Sequence, residues 1–372
     1  MKGCRARVTL IASLLLGLVT TRGMAQGEPT VAPCTTATTV CTEWIGVKGH
    51  PLQLLVYRSY PLDQRNERIV RALVMVHGGL RLAADQFTNE LAAAFLAGAL
   101  DDTVLLAPRF ASNTSAPSAT GAAACLDVLA PREANWICED SRADSWRNGS
   151  PAIGNAEVTS FDFADEIVRR LADRNVFPNL KHIVIAGHSG GGQYTLRYAM
   201  ANRVHDAAGV PISYVVSNPD ALIYLDELRP TPAAYPATAA GPRFFPPSPV
   251  ETFAPFADSR NCTTFNNWQY GLQNRAGYTA TLADQQLKRQ LASRPVTYLL
   301  GGADIVPFGG FDDSCPAMAQ GPTRLARGLA YAKYMNERHG ARHRAVVVEA
   351  CGHDDRCMFT SNPALPLLFP QP

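Results

Sequence analysis

One short segment near the middle of the chain constrains its fold more than any other: residues 187–191, with the sequence Gly-His-Ser-Gly-Gly. It directly follows the apolar run 183–186, which is typical of a buried β-strand. A helical pattern begins at about residue 191. The segment therefore predicts a strand that turns sharply into a helix around Ser189, in a strained turn that needs glycine at the neighbouring positions.

Three further apolar runs end in residues that are able to act with Ser189. Residues 72–76 lead to His77-Gly78-Gly79, residues 296–300 to Gly301-Gly302-Ala303-Asp304, and residues 345–348 to Gly352-His353. Ser189, Asp304 and His353 thus each follow a predicted strand, in the chain order serine, acid, histidine. This is the order expected on an α/β-hydrolase sheet.

From about Leu54 to His353 the chain resembles the secreted α/β-hydrolase-fold serine esterases. Four further segments resemble those of an uncharacterised extracellular branch found in bacteria and fungi: residues 158–161, 177–180, 267–272 and 320–324. The resemblance implies an α/β fold with a mostly parallel central sheet flanked by helices. It also implies a serine hydrolase that cleaves carboxylic esters.

The catalytic roles follow from the chemistry of acyl transfer. A serine hydroxyl is a weak nucleophile at neutral pH, so it needs a base to take its proton and an acid to orient that base. We expect Ser189 to attack, His353 to carry the proton and Asp304 to hold His353. The alternatives for the acid are Asp220, which follows the predicted strand near Val215, and Asp226, Asp312 or Asp313.

An oxyanion hole must accompany such a triad, because the alkoxide of the intermediate needs backbone N–H donors. We expect one donor from Gly190, directly after the serine, and the other from Gly79, with Leu80 as the alternative to Gly79. His77 and His188 are expected to orient these turns rather than to react.

The same machinery serves other functions, which the sequence leaves open. An extracellular amidase or peptidase uses the same triad on a different leaving group, and a binding module on a hydrolase scaffold would use none of it. No cofactor and no metal site are predicted. His339 and His343 lack the glutamate of H-E-x-x-H, and the glycines at 190–192 lack the G-x-G-x-x-G spacing.

The N-terminal residues 1–25 are predicted to be a signal peptide. Lys2, Arg5 and Arg7 precede an apolar stretch over residues 8–19, and Gly23-Met24-Ala25 offers a cleavage site before Gln26. The stretch is too short to span a bilayer, and no lipobox follows it. We therefore predict a secreted or periplasmic protein, cleaved near Ala25, with no stable membrane anchor.

The charge of the remaining chain excludes some partners. Four of the 34 basic residues and none of the 32 acidic residues lie in the predicted signal peptide, which leaves a net charge of −2. Such a balance gives no electrostatic footprint for nucleic acid. The expected partner is a small-molecule or polymeric ester.

The cysteine count indicates disulfide bonds. Of nine cysteines, Cys4 would leave with the signal peptide, and an even number in an exported chain favours a disulfide framework. Short separations favour three pairs and leave a fourth: Cys34–Cys41, Cys125–Cys138, Cys351–Cys357 and Cys262–Cys315. Without a C-x-x-C spacing, a metal cluster is not favoured.

The remaining pattern predicts one α/β-hydrolase domain over residues 26–372. Strands are predicted around Leu54, Val74, Val104, Val184, Val215, Tyr298 and Val347, with helices at about 83–99, 160–174, 191–202, 282–292 and 323–339, the last stopped by Gly340. Residues 111–156 are predicted to be a long surface loop that contains Trp136 and Trp146. A proline- and aromatic-rich insertion at about 221–282 is predicted to be a cap over the serine.

Overall fold

The structure is a computed structural model that describes residue 3 and residues 32–115, 124–138, 144–231, 252–307 and 310–371. The predicted signal peptide, its cleavage site and residues 232–251 of the predicted cap lie outside this part of the chain. Residues Ala32–Pro372 form one compact unit.

An eight-stranded sheet runs through this unit in the order β1-β2-β4-β3-β7-β8-β11-β12. Strand β2 pairs antiparallel with β1 and β4, and all other neighbours in the sheet are parallel. The strands are β1 (Thr42–Gly46), β2 (Gln53–Arg58), β3 (Arg71–Val76), β4 (Thr103–Pro108), β7 (His182–His188), β8 (Ile212–Ser217), β11 (Val296–Gly301) and β12 (Arg344–Val348). Two separate ribbons pair β5 (Pro151–Ala152) with β6 (Asn155–Thr159), and β9 (Leu228–Thr231) with β10 (Thr252–Pro255).

Helices cover both faces of the sheet, which explains why its central strands are continuous apolar runs. In β3, Ala72 and Val74 join the core on one face, and Leu73 and Met75 join the core on the other. The helices are α1 (Ala83–Leu96), α2 (Ser160–Leu171), α3 (Gly190–Ala201), α4 (Asp284–Ser293), α5 (Cys315–Met318), α6 (Arg324–His339), α7 (Asp355–Thr360) and α8 (Leu365–Leu368). Helices α2, α3, α4 and α6 supply the first core, and α1, α7 and α8 supply the second.

Local sequence signals fix the ends of two long helices. Thr159 and Asp162 form a reciprocal capping box at the start of α2. At the start of α6 the Thr323 hydroxyl accepts a hydrogen bond from the Ala326 amide, and α6 ends at Gly340, whose φ is 64°. The predicted stop at Gly340 therefore reflects a left-handed backbone conformation that glycine adopts without strain.

The predicted α/β architecture, a mostly parallel sheet flanked by helices, is confirmed. The prediction of a surface loop over residues 111–156 is wrong in part. Trp136 and Trp146 are fully buried in the main core. Trp146 stacks on Phe110, and Trp136 meets the same ring edge-on. Each indole ring gains a large amount of stabilisation from the burial of its apolar surface, which an exposed loop would forgo. The part of the segment around Trp136 and Trp146 therefore packs into the core, whereas residues 116–123 and 139–143 of the predicted loop lie outside the described residues.

The eight described cysteines lie in four pairs at disulfide distance. Their Cα atoms are 5.7 Å apart in Cys34–Cys41, 6.1 Å in Cys125–Cys138, 5.9 Å in Cys262–Cys315 and 5.8 Å in Cys351–Cys357. Within the described residues no helix has the length and apolar content needed to cross a membrane.

Candidate active site

Ser189 occupies the turn between β7 and α3, and its backbone conformation is strained. Its φ is 56° and its ψ is −119°. Few residues other than glycine adopt a positive φ, and such strain concentrates at functional sites. The turn is held in place because the Ser189 amide donates to the Ser217 carbonyl at the end of β8, 2.9 Å away.

Glycine is required around Ser189 because backbone atoms leave no room for a Cβ. A Cβ on Gly187 would overlap the Gly191 carbonyl, and a Cβ on Gly191 would overlap the Val76 carbonyl. A Cβ on Gly192 would lie 2.5 Å from the Ser217 carbonyl oxygen. The serine turn is therefore packed directly against the ends of both neighbouring strands.

Asp304 and His353, which the sequence predicts as acid and base, are in direct contact. The Nδ1–H of His353 donates to Oδ2 of Asp304 across 2.8 Å. Asp304 follows β11 and is 3 % exposed, whereas the His353 side chain, in the loop after β12, is 16 % exposed. With Nδ1 engaged by the carboxylate, Nε2 is the nitrogen left to accept a proton.

His353 also lies beside the residue that precedes Ser189. The rings of His188 and His353 have centroids 4.6 Å apart. Among the described residues, no hydrogen bond joins Ser189 Oγ to His353 in this structure. Catalytic hydrogen bonds of this kind are often long without substrate and tighten when substrate binds.

Asn218, which directly follows β8, fixes the two loops that carry Asp304 and His353. Its side-chain carbonyl accepts from the Gly301 amide at 2.7 Å, and its side-chain N–H donates to the Gly352 carbonyl at 3.0 Å. One amide side chain therefore joins the end of β11 to the residue before His353. This role could not be predicted from the sequence, since nothing in the local pattern distinguishes Asn218.

The two expected oxyanion donors lie side by side. A Cβ on Gly190 would be 3.2 Å from the Gly79 amide nitrogen. The turn that carries Gly79 is held by Arg81, which donates to the Gly79 carbonyl at 2.9 Å and pairs with Asp127 at 2.8 Å. Leu80, the alternative donor, is 50 % exposed.

His77 and His188 have the surroundings of structural residues. His77 Nε2 accepts from the Phe110 amide at 3.0 Å, and Nδ1 donates to the Gly78 carbonyl at 2.9 Å. Burial lowers the pKa of His77 to about 4. Burial also holds the pKa of His188 well below its usual value, with smaller contributions from His353 and Arg324, so both rings are neutral at pH 7.

Arg147 is a buried cation beside Gly79 and Gly190, and its place in the site was not predicted from the sequence. A Cβ on Gly190 would lie 2.5 Å from Arg147 Nε, and a Cβ on Gly79 would lie 3.0 Å from Nη2. The guanidinium also lies 5.1 Å from the centre of the Trp146 ring. Burial lowers the pKa of Arg147 to about 10, with Asp220 acting in the opposite direction, so this side chain stays charged at neutral pH.

The other candidate carboxylates have different partners. Asp220 pairs with Arg324, Asp312 accepts from the Tyr270 hydroxyl at 2.8 Å, and Asp226 lies 3.7 Å from His339. Asp313 is exposed. Among these carboxylates in the described chain, Asp304 alone accepts a hydrogen bond from His353.

The described residues do not gather three or more His, Cys, Asp or Glu side chains in a way that could hold a metal ion. The site consists of a strained serine, a histidine oriented by a buried carboxylate, and two neighbouring backbone amides next to a cation. Such a set of groups is able to carry out acyl transfer.

These features agree with the sequence comparisons. The chain belongs to the alpha/beta hydrolase family, whose sequence profile matches residues 73–365. No curated protein is detectably similar to it in sequence.

Two solved structures share the fold. One is LpqC, a poly(3-hydroxybutyrate) depolymerase from Bordetella parapertussis, with a TM-score of 0.56 and 17 % identity over 88 % of this chain and 90 % of that one. The other is poly(aspartic acid) hydrolase-1 from Sphingomonas sp. KT-1, with a TM-score of 0.54 and 18 % identity over 88 % of this chain and 97 % of that one. At these identities the likeness defines the fold alone.

Proposed function

We propose that this chain is an exported serine hydrolase that cleaves carboxylic esters through an acyl-enzyme, without a cofactor. The observation that carries the proposal is the 2.8 Å hydrogen bond from His353 to the buried Asp304, on loops that meet beside the strained Ser189. The family supplies the class, a hydrolase of the α/β fold.

In the proposed mechanism, Ser189 Oγ attacks the ester carbonyl carbon while His353 Nε2 accepts the hydroxyl proton. Asp304 keeps the imidazole in the tautomer that leaves Nε2 free and stabilises the imidazolium. The amides of Gly79 and Gly190 donate to the new alkoxide. Collapse of the intermediate expels the alcohol, which takes the proton from His353, and water repeats the attack on the acyl-enzyme.

The experiment that tests this is covalent labelling of Ser189. The mature protein, oxidised to its disulfide form, is treated with a fluorophosphonate and its intact mass is measured. Wild type is expected to gain one label, whereas Ser189→Ala and His353→Ala are expected to gain none. Absence of labelling on folded wild type would contradict the proposal and favour a binding module on the hydrolase scaffold.

An amidase or peptidase on the same triad is the second candidate function. The observation that favours it is the fold likeness to a poly(aspartic acid) hydrolase, just as the likeness to a poly(3-hydroxybutyrate) depolymerase favours a polyester. Matched p-nitrophenyl ester and p-nitroanilide substrates with the same acyl group separate the two. Turnover of the anilide at a rate similar to that of the ester would establish the amidase.

Export is part of the proposal and has its own test. The cysteine pairs support it, because disulfides persist in oxidising compartments. Expression of the full chain in a secreting host, followed by N-terminal sequencing, is expected to give a mature protein that starts at Gln26. Recovery of uncleaved protein in the cytoplasm would contradict the predicted signal peptide.

A further inference from the structure

Arg324, the first residue of α6, links Asp304 to a second buried carboxylate. Its Nε donates to Asp220 Oδ1, and its Nη1 donates to Asp304 Oδ1 across 3.5 Å. The other oxygen of Asp304, Oδ2, is the one that accepts from His353. The Arg324 side chain is fully buried, so these contacts are made away from water.

The backbone of the same helix also touches Asp304. The Leu325 amide donates to the Asp304 carbonyl oxygen across 3.4 Å. The first turn of α6 therefore contacts both the side chain and the main chain of Asp304. This turn is itself fixed, since Thr323 caps the helix through the Ala326 amide.

We propose that Arg324 is a positioning residue for catalysis: it holds the Asp304 carboxylate in the orientation that aims His353 at Ser189, and Asp220 anchors Arg324. This rests on the proposed function. A carboxylate that bonds histidine through one oxygen needs a second contact to stop it from rotating about its side-chain bonds. Arg324 supplies that contact at Oδ1, the Asp304 oxygen that does not bond His353.

The charges of these groups suit the reaction. Asp220 and Asp304 carry two negative charges and Arg324 carries one positive charge, so the three groups together carry one net negative charge. When His353 takes the serine proton, the four groups become neutral as a set. In a low-dielectric site, opposite charges at this spacing interact much more strongly than in water, so the net negative charge of these three groups stabilises the partly buried imidazolium of His353.

The same contacts would also exist if Arg324 served only to hold α6 on the sheet. A purely structural arginine would affect the stability of the protein but not the turnover of the molecules that fold. Asp304 offers the discriminating measurement, because a residue that acts through Asp304 has little left to act on once that carboxylate is neutral.

The test is a double-mutant cycle between Arg324 and Asp304 in the mature, oxidised protein. We measure kcat and KM on a soluble p-nitrophenyl ester for wild type, Arg324→Met, Asp304→Asn and the double variant, with the unfolding midpoint of each. Misplacing a catalytic group by about 1 Å costs about 10²-fold, so Arg324→Met is expected to lower kcat by that factor with KM nearly unchanged. In the Asp304→Asn background the same substitution is expected to change kcat by no more than about twofold.

Two further variants serve as controls. Arg324→Lys keeps the charge and is expected to recover part of kcat. Arg294→Met removes another buried arginine, one that donates to the backbone carbonyls of Ala199 and Asn202 and does not contact Asp220 or Asp304, and it is expected to lower stability while leaving kcat unchanged. If Arg324→Met does not fold, the cycle uses the double variant Asp220→Asn/Arg324→Met in its place, because the two substitutions together remove one positive and one negative charge.

The outcomes are separable. Equal losses of kcat from Arg324→Met in both backgrounds, or equal kcat for Arg324→Met and Arg294→Met, would overturn the positioning role. If Asp304→Asn itself left kcat unchanged, the role of Asp304 in the proposed function would be contradicted, whatever the effect of Arg324→Met. A large loss from Asp304→Asn with none from Arg324→Met would reject this inference alone.

Discussion

Two of the disulfides are expected to separate stability from activity when each is removed. Cys262 and Cys315 are 53 residues apart in sequence, whereas Cys351 and Cys357 are 6 apart and enclose His353. A cross-link stabilises mainly by restricting the unfolded chain, and more so for longer loops. For a loop of 53 residues the chain-entropy relation gives about 4 kcal/mol, and for a loop of 6 residues about 2 kcal/mol.

The effect on activity should run in the opposite direction. Cys351 is held next to the acid, since its carbonyl accepts from the Ala303 amide at 3.0 Å, and His353 follows two residues later. Releasing the Cys351–Cys357 bridge frees the loop that aims the imidazole, and a displacement of about 1 Å costs about 10²-fold in rate. The longer Cys262–Cys315 loop contains Asp304. Asp304 is also held by its own backbone, since its amide donates to the Gly301 carbonyl at 3.1 Å and its carbonyl accepts from the Leu325 amide at 3.4 Å, so the folded enzyme should keep most of its turnover without that bridge.

The assay compares two double-alanine variants, one for each pair. Chemical unfolding followed by tryptophan fluorescence gives the stabilities, and ester turnover per active site, titrated with fluorophosphonate, gives kcat. We expect Cys262→Ala/Cys315→Ala to lose more stability and Cys351→Ala/Cys357→Ala to lose more kcat. The reasoning is refuted if the stability order is reversed, or if kcat falls by the same factor in both variants.

Three further results are expected. Gly191→Ala places a Cβ against the Val76 carbonyl and should abolish fluorophosphonate labelling. The control Gly46→Ala places a Cβ 3.9 Å from its nearest neighbouring atoms and should label like wild type. Full labelling of Gly191→Ala would contradict the packing argument. Arg147→Met should lower kcat by about 10²-fold with little change in KM, by weakening the field at the oxyanion, and Arg147→Lys should recover part of it; an effect confined to KM would argue against this role. Burial lowers the pKa of His77 from 6.5 to about 4, so the unfolded chain binds a proton at His77 before the folded chain does. The contribution of His77 to the free energy of unfolding is therefore complete above pH 6.5, and about 3 kcal/mol of it is lost as the pH falls to 4. His77→Gln should flatten the fall in unfolding midpoint between these pH values, and an unchanged slope would show that other groups cause the fall.

Much of the sheet could be predicted because its central strands are buried on both faces and are therefore uniformly apolar. Each of the seven predicted strands corresponds to a strand of the sheet, and the helices α1, α2, α3, α4 and α6 lie at their expected places within a few residues. Strand β1 was not predicted. It is a short edge strand with one antiparallel partner, so its pattern of mixed exposure carries little signal.

The residues that surround the proposed triad were harder to predict because their contacts are distant in sequence. Arg324 lies 104 residues from Asp220 and 20 from Asp304, and no periodicity or motif relates such positions. The resemblance included residues 320–324 without giving Arg324 a role. Arg147 was missed because its segment is polar and irregular; the nearby Trp136 and Trp146 were the available signal that this stretch is buried.

The close backbone contact between the serine turn and the end of β3 has a consequence for how this enzyme could diversify. The carbonyl of Val76 fills the space beside Gly191, so the Ser189 turn and the Gly79 turn behave as one piece of main chain. Loops inserted elsewhere can be lengthened, shortened or exchanged without altering the spacing between these two parts. Changes confined to exposed loops away from these glycines should therefore alter which substrates the chain accepts while preserving its rate of reaction with a small, unselective phosphonate.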